Sequence, residues 1–168
     1  MDYQIMSGDI VTAEWIAGKL HILDEKHLPL FLKNFSDLHA WLESRAIDRH
    51  RANSRLLKKA LRLTERDDVS TVLAVHAATI TDRYWIRTIG SPLTYADIRF
   101  DSDYFSNLAL HGNYDSFNRA ASACSTKTPE LTNIGSFEKC WKLKDGRWWL
   151  CKTASSEELF SELFVYEL

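Results

Sequence analysis

The feature that most constrains this chain lies near its end, in the stretch GSFEKCWKLKDGRWWLCK from Gly135 to Lys152. Asp145-Gly146 sits between two apolar-rich runs, and a two-residue type I′ turn needs positive φ at both central positions, which Asp-Gly tolerates. Such a turn fixes the register. Lys144 then faces Arg147, Leu143 faces Trp148, Trp141 faces Leu150, Cys140 faces Cys151 and Lys139 faces Lys152. Because side chains alternate along a strand, one face carries Lys139, Trp141, Leu143, Trp148, Leu150 and Lys152 and is expected to look inward or into a cleft. The other carries Cys140, Lys142, Lys144, Arg147, Trp149 and Cys151. The two lysines at the end of the apolar face oppose each other. Like charges paired across strands are destabilising, and an anion between them would reverse that sign. The competing expectation is that both ammonium groups reach past the tryptophans to water.

The remainder of the chain supplies other kinds of pattern. DYQIMSGDIVTAEWIAGKLHIL alternates apolar and polar residues around Gly8 and Gly18, which predicts two or three strands in a meander. Ser36 is expected to cap a helix over SDLHAWLESR. A second helix is predicted from Asn53 to Leu63, with Leu56, Leu57, Ala60 and Leu61 as its stripe, and a third over DDVSTVLAVHA, capped by Asp67 or Asp68. DRYWIRT reads as a strand. Thr94 with Asp97 three residues on resembles a capping box. One or two short helices are expected between Asp101 and Ala123, SACSTKTPELTNIG reads as a loop or linker, and SSEELFSELFVYEL reads as a closing helix. The fold class is α+β: N-terminal strands, a small helical region, then a hairpin and helix. The expected division is residues 1–123 and 124–168.

Charge and cysteine usage narrow the function. The 168 residues carry a net charge of −2, so a generic nucleic-acid binder is not expected. Arg49, Arg51, Arg55, Lys58, Lys59 and Arg62 form a basic face on or just before the second helix, in a layout like a helix-turn-helix; a solvated face is the reading adopted. No apolar run approaches the length that spans a bilayer, and no cationic and apolar leader opens the chain. A soluble, cytoplasmic protein is expected. Its three cysteines, Cys124, Cys140 and Cys151, are expected as thiols. The six histidines show no ligand spacing, Asp101-Ser102-Asp103 lacks the rest of a calcium loop, and no serine sits in a glycine elbow, so metal and hydrolase chemistry are not expected.

A glycine–serine turn, a strand with Lys139, a hairpin, a strand ending in Lys152, and a helix bearing Glu157, Glu158, Glu162 and Glu167 follow the order of a kinase N-lobe. TPELTNIGSFEKCWKLKDGRWWLCK resembles the nucleotide-binding start of HipA-like serine/threonine kinase-related proteins of Firmicutes and their mobile elements. MSGDIVTAEW, DRYWIR and SPLTYADIRFDSDYFS resemble earlier segments of the same family, so the resemblance covers nearly the whole chain. It implies that Gly135, Ser136 and Lys139 lie in the phosphate-binding loop, and that Lys152 meets the α- and β-phosphates. Glu162 would be its helix partner, with Glu158 as the alternative. Glu138 departs from the family, which often has proline there. The catalytic asparagine and aspartates of these kinases would have to follow Leu168.

The resemblance therefore implies an N-terminal regulatory region that docks a protein partner and holds part of a nucleotide site, without phosphoryl transfer of its own. ATP and magnesium would belong to a full-length relative, with no cofactor held tightly here. The alternative expectation is a stand-alone phage or mobile-element binding protein on the same scaffold, such as an inhibitor of a host or defence protein (an anti-CRISPR, for example) or an antitoxin-like factor.

Overall fold

The computed structural model describes residues 2–63, 67–122 and 127–153. The predicted meander forms: β1 (Tyr3–Ser7), β2 (Ile10–Ile16) and β3 (Lys19–Ile22) run antiparallel, and β4 (Tyr84–Thr88) adds to the free side of β1, giving the sheet order β3-β2-β1-β4. The register slips between Ile5 and Met6, so that Ile5 pairs with Ala13 while Met6 pairs with Val11. Thr12 is the extra residue. It is buried and returns its hydroxyl to the Ile5 carbonyl at 3.0 Å, which satisfies the group left over by the bulge.

Helices cover both faces of this sheet. Ile5, Ala13 and Ile86 pack with Leu32 of α1 (Leu30–Phe35), Trp41 and Leu42 of α2 (Leu38–Ser44), and Val69 and Val72 of α4 (Asp68–Leu73). Met6 and Trp85 point the other way, into a second cluster with Leu57 of α3 (Ser54–Ala60), Ile98 of α5 (Tyr95–Ile98), Leu108 of α6 (Ser106–His111) and Ala120 of α7 (Tyr114–Ala121). Period-2 alternation on β1 and β4 sends neighbouring residues to opposite clusters. Trp85 is fully buried there, and its indole N–H donates to the Gly8 carbonyl at 2.7 Å.

Several caps fall where the sequence places them, and one does not. Asp67 caps α4 through the Val69 amide at 3.0 Å, and Thr94 with Asp97 makes the reciprocal capping box of α5. Ser36, expected to cap α2, instead closes α1 in a left-handed conformation (φ 51°). That leaves Asp37 extended, and its carboxylate takes the Ala40 amide at 3.0 Å. Both residues are cap formers, and the preceding short helix decides between them.

Two expectations are corrected more deeply. The stretch read as a loop or linker contains a buried 3-10 turn over Pro129–Thr132. Thr128 accepts from the Glu130 amide at 3.2 Å, the Leu131 carbonyl accepts from the Ile47 amide at 2.8 Å, and Leu131 belongs to the second cluster. The basic face is not wholly solvated either: Arg51 is 1% and Lys58 2% exposed. Lys58 is paired with Asp68 at 3.2 Å, and Arg49 reaches the same carboxylate at 3.3 Å. Burying a lysine with its counter-charge leaves it unavailable to a phosphate backbone.

The hairpin consists of β5 (Lys139–Lys144) and β6 (Arg147–Lys152), a separate two-stranded ribbon. Its core contact is Trp148, which packs against the second cluster. Among the described residues no helix is long and apolar enough to cross a membrane. The closing helix expected from the sequence lies outside the described residues, as do Cys124, Glu157, Glu158, Glu162 and Glu167.

Candidate functional site: the hairpin base and its glycine loop

The hairpin register is the one that the Asp-Gly turn dictates, from Lys144↔Arg147 at the turn to Lys139↔Lys152 at the base. Asp145 and Gly146 both have positive φ, 53° and 72°, as a type I′ turn requires. Residues paired across a two-residue turn alternate between hydrogen-bonded and non-hydrogen-bonded positions. Lys144↔Arg147 is of the first kind, so Lys139, Trp141 and Leu143 turn their backbone groups away from β6.

Side chains meet those outward groups. Glu130 accepts from the Trp141 amide at 2.7 Å, and Asp103 accepts from the Leu143 amide at 3.2 Å. The Lys139 carbonyl takes a donor from Arg51, and Asn133 approaches it at 3.5 Å. This edge of the ribbon is thus occupied by two carboxylates, an amide and a guanidinium rather than by a third strand, which shields it from strand addition.

Arg51 is the centre of this arrangement. Its guanidinium donates to the carbonyls of Asn133 (3.3 Å) and Ala109 (3.2 Å) as well as to Lys139. Its Nε is buried and meets no acceptor among the described residues. Burial holds its pKa below the usual arginine range, while Glu130 and Glu138 supply the negative charge that opposes this. Glu130 is itself 1% exposed. Burial pushes its carboxyl up to about 7, against the opposing pull of the Asn133 amide, the Trp141 amide and Arg51.

Lys139 lies between this network and the loop before it. Gly135 has φ +110°, and a Cβ placed on it would lie 2.5 Å from the Lys139 Nζ. The loop backbone therefore approaches the ammonium more closely than a side chain at 135 would permit. Partial burial holds the Lys139 pKa below the usual lysine range, with further contributions from the positive charges of Arg51 and Lys152. Three cations are gathered at one end of the hairpin, next to a glycine with positive φ. Exposed Ser136 follows in the same loop. Positive groups held together in this way suit an anion of multiple charge, such as a phosphate chain.

Of the residues singled out in the sequence, Gly135 and Lys139 are in immediate proximity, Lys152 faces Lys139 across the ribbon, and Glu162 lies outside the described residues. The apolar face is only partly turned inward. Trp148 and Leu143 line a cleft of about 460 Å³ with Thr79, Tyr95, Arg99 and Phe100, but Leu150 is 41% exposed, and on the opposite face Cys140 is fully buried. A two-stranded ribbon twists strongly, so one face meets the core near the turn and the other face meets it near the base. Among the described residues no cluster of His, Cys, Asp and Glu is suited to hold a metal ion.

Sequence reasoning missed Arg51, Glu130 and Asn133. Arg51 sits among basic residues with nothing in its spacing to separate it from them. Glu130 has a usable signal: Thr128-Pro129-Glu130 places a capping hydroxyl, a proline at the first helical position and an acid in the first turn, a helical start rather than a linker. Comparison with known proteins matches the chain to no family model, no curated protein and no solved structure.

Proposed function

We propose that the chain is the N-terminal region of a HipA-like kinase, which docks a protein partner and contributes part of a nucleotide site without transferring phosphate itself. The observation that carries the reading is the placement of Lys139, directly across from Lys152 and against Gly135. Lys139 and Lys152 occupy a non-hydrogen-bonded pair, where Cα atoms are only about 4.5 Å apart. Opposed in this way the two ammonium groups repel, and an anion held between them turns that repulsion into attraction. With a nucleotide present, the phosphates take the positive charge of both, and the loop from Gly135 to Glu138 covers them. Arg51 adds charge behind Lys139 and fixes the carbonyl at its base.

The test is residue-resolved. Amide chemical shifts of the full chain are followed as ATP is added, with and without magnesium. The reading predicts perturbations concentrated at residues 134–140 and 151–153, reproduced by pyrophosphate and weaker with adenosine. Shifts absent from this region at millimolar ATP, or equal for adenosine and ATP, contradict it.

A second reading, a stand-alone binding protein, is favoured by the apolar residues on α1. Leu30 and Phe35 are 70% and 67% exposed on one six-residue helix, the Phe35 ring lies against Phe31 with centroids 5.0 Å apart, and aromatic side chains of this kind are enriched where protein partners bind. Substituting both by Ser should abolish partner capture if this surface is the docking site, and capture that survives the substitution contradicts this second reading.

A further inference from the structure

We propose that Cys140 and Cys151 are a redox-active pair, a modification site at which small-molecule disulfides reversibly staple the base of the hairpin. The two residues are register partners in β5 and β6, and both are free thiols. By the alternation described above they occupy a hydrogen-bonded pair, with Cα atoms about 5.5 Å apart, within the range that a disulfide spans. Strand pairing already sets the two side chains opposite each other on one face of the ribbon.

The two thiols differ in access. Cys140 is fully buried, and Cys151 is partly exposed. Burial pushes the Cys140 thiol up to about 12, with the Glu130 carboxylate and Cys151 adding to the effect. Cys151 is therefore the entry point and Cys140 the resolving group. In the first step the Cys151 thiolate attacks one sulfur of a disulfide RSSR. The Cys151–SR bond forms, the RS–SR bond breaks, and the departing thiolate takes up the proton that Cys151 released. In the second step the Cys140 sulfur attacks Cys151 Sγ. The Cys140–Cys151 bond forms, the Cys151–SR bond breaks, and RSH leaves with the proton of Cys140. Two thiols are oxidised and one RSSR is reduced to two RSH. The staple lies one residue from both Lys139 and Lys152, but the proposal does not depend on those lysines binding an anion.

The experiment uses the full chain, reduced and then incubated with oxidised glutathione, quenched with acid and digested for mass spectrometry. The expected product is a linked pair of peptides containing Cys140 and Cys151, lighter than the reduced pair by two hydrogens and restored by dithiothreitol. Cys124→Ser retains it. Cys140→Ser accumulates a stable glutathione adduct on Cys151 instead. Three results overturn the proposal: a stable glutathione adduct on Cys151 in the native sequence, linkage mainly through Cys124, or no reaction at Cys151. Because the linkage is read in the native sequence, misfolding of a serine variant does not obscure the answer.

Discussion

Glu130 makes stability depend on pH in a direction opposite to most carboxylates. Its side chain is 1% exposed, and burial raises its pKa from 4.5 to about 7. A group with a raised folded-state pKa binds its proton more tightly in the native chain than in the unfolded one. Its contribution is complete below pH 4.5 and is lost as pH rises through about 7. The interval between the two values, at about 1.4 kcal/mol per pH unit, corresponds to roughly 3 kcal/mol. Urea denaturation at a series of pH values from about 5 to about 8.5 reads this directly. Glu130→Gln keeps an oxygen for the Trp141 amide and removes the titration. It loses the good match to the Asn133 amide, at a cost of about 1 kcal/mol, so it should be slightly less stable than the native sequence near pH 5 and more stable near pH 8. The decisive quantity is the difference in slope between the two proteins, since other titrating groups are common to both. Parallel pH profiles would refute the reasoning, because they would mean that Glu130 is ionised in the fold throughout or exposed to water.

Other substitutions test neighbouring parts of the account. Arg51→Met removes the guanidinium from the carbonyls of Ala109, Asn133 and Lys139, leaving Ala109 with the Asn53 amide at 3.3 Å and Lys139 with the Asn133 amide at 3.5 Å, and should cost about 2–3 kcal/mol in urea denaturation; Arg51→Lys, which keeps the charge but loses the planar fork, should recover only part of it. Gly135→Ala places a side chain against the Lys139 ammonium at a positive φ and should cost about 1–3 kcal/mol while weakening ATP binding. Asp67→Ala removes the α4 cap and should cost about 1 kcal/mol with no change in ATP binding. Incubation of the chain with labelled ATP and magnesium should give no autophosphorylation; labelling that Lys152→Ala abolishes would contradict the proposed role.

Local chemistry makes the hairpin and the meander legible in the sequence. Asp-Gly dictates a turn, the turn dictates a register, and β5 and β6 pair as that register requires. What the sequence hides depends on residues distant along the chain. Asp37 replaces Ser36 as the cap because α1 ends in the left-handed conformation one residue earlier. Arg51 is drawn inward by carbonyls 58 to 88 residues away, and periodicity on its own segment carries no trace of them. The pairing of Lys139 with Lys152 is readable; the buried network that holds Lys139 from behind is not, because its members come from three separate segments. The inward face of the ribbon changes along its length for a similar reason, since twist is a property of the paired strands and not of either sequence alone.

The most direct test of the central claim is calorimetric titration of the full chain with ATP, alongside Lys139→Met, Lys152→Met and Arg55→Met. If the two hairpin lysines hold the phosphates, each substitution should weaken binding by about tenfold or more, the loss of one charge-assisted contact. Arg55→Met, exposed on α3, should bind as the native sequence does, and raising the salt concentration should weaken the native complex. The account is contradicted if the native sequence binds no ATP at millimolar concentration, or if it binds and both lysine variants bind equally well.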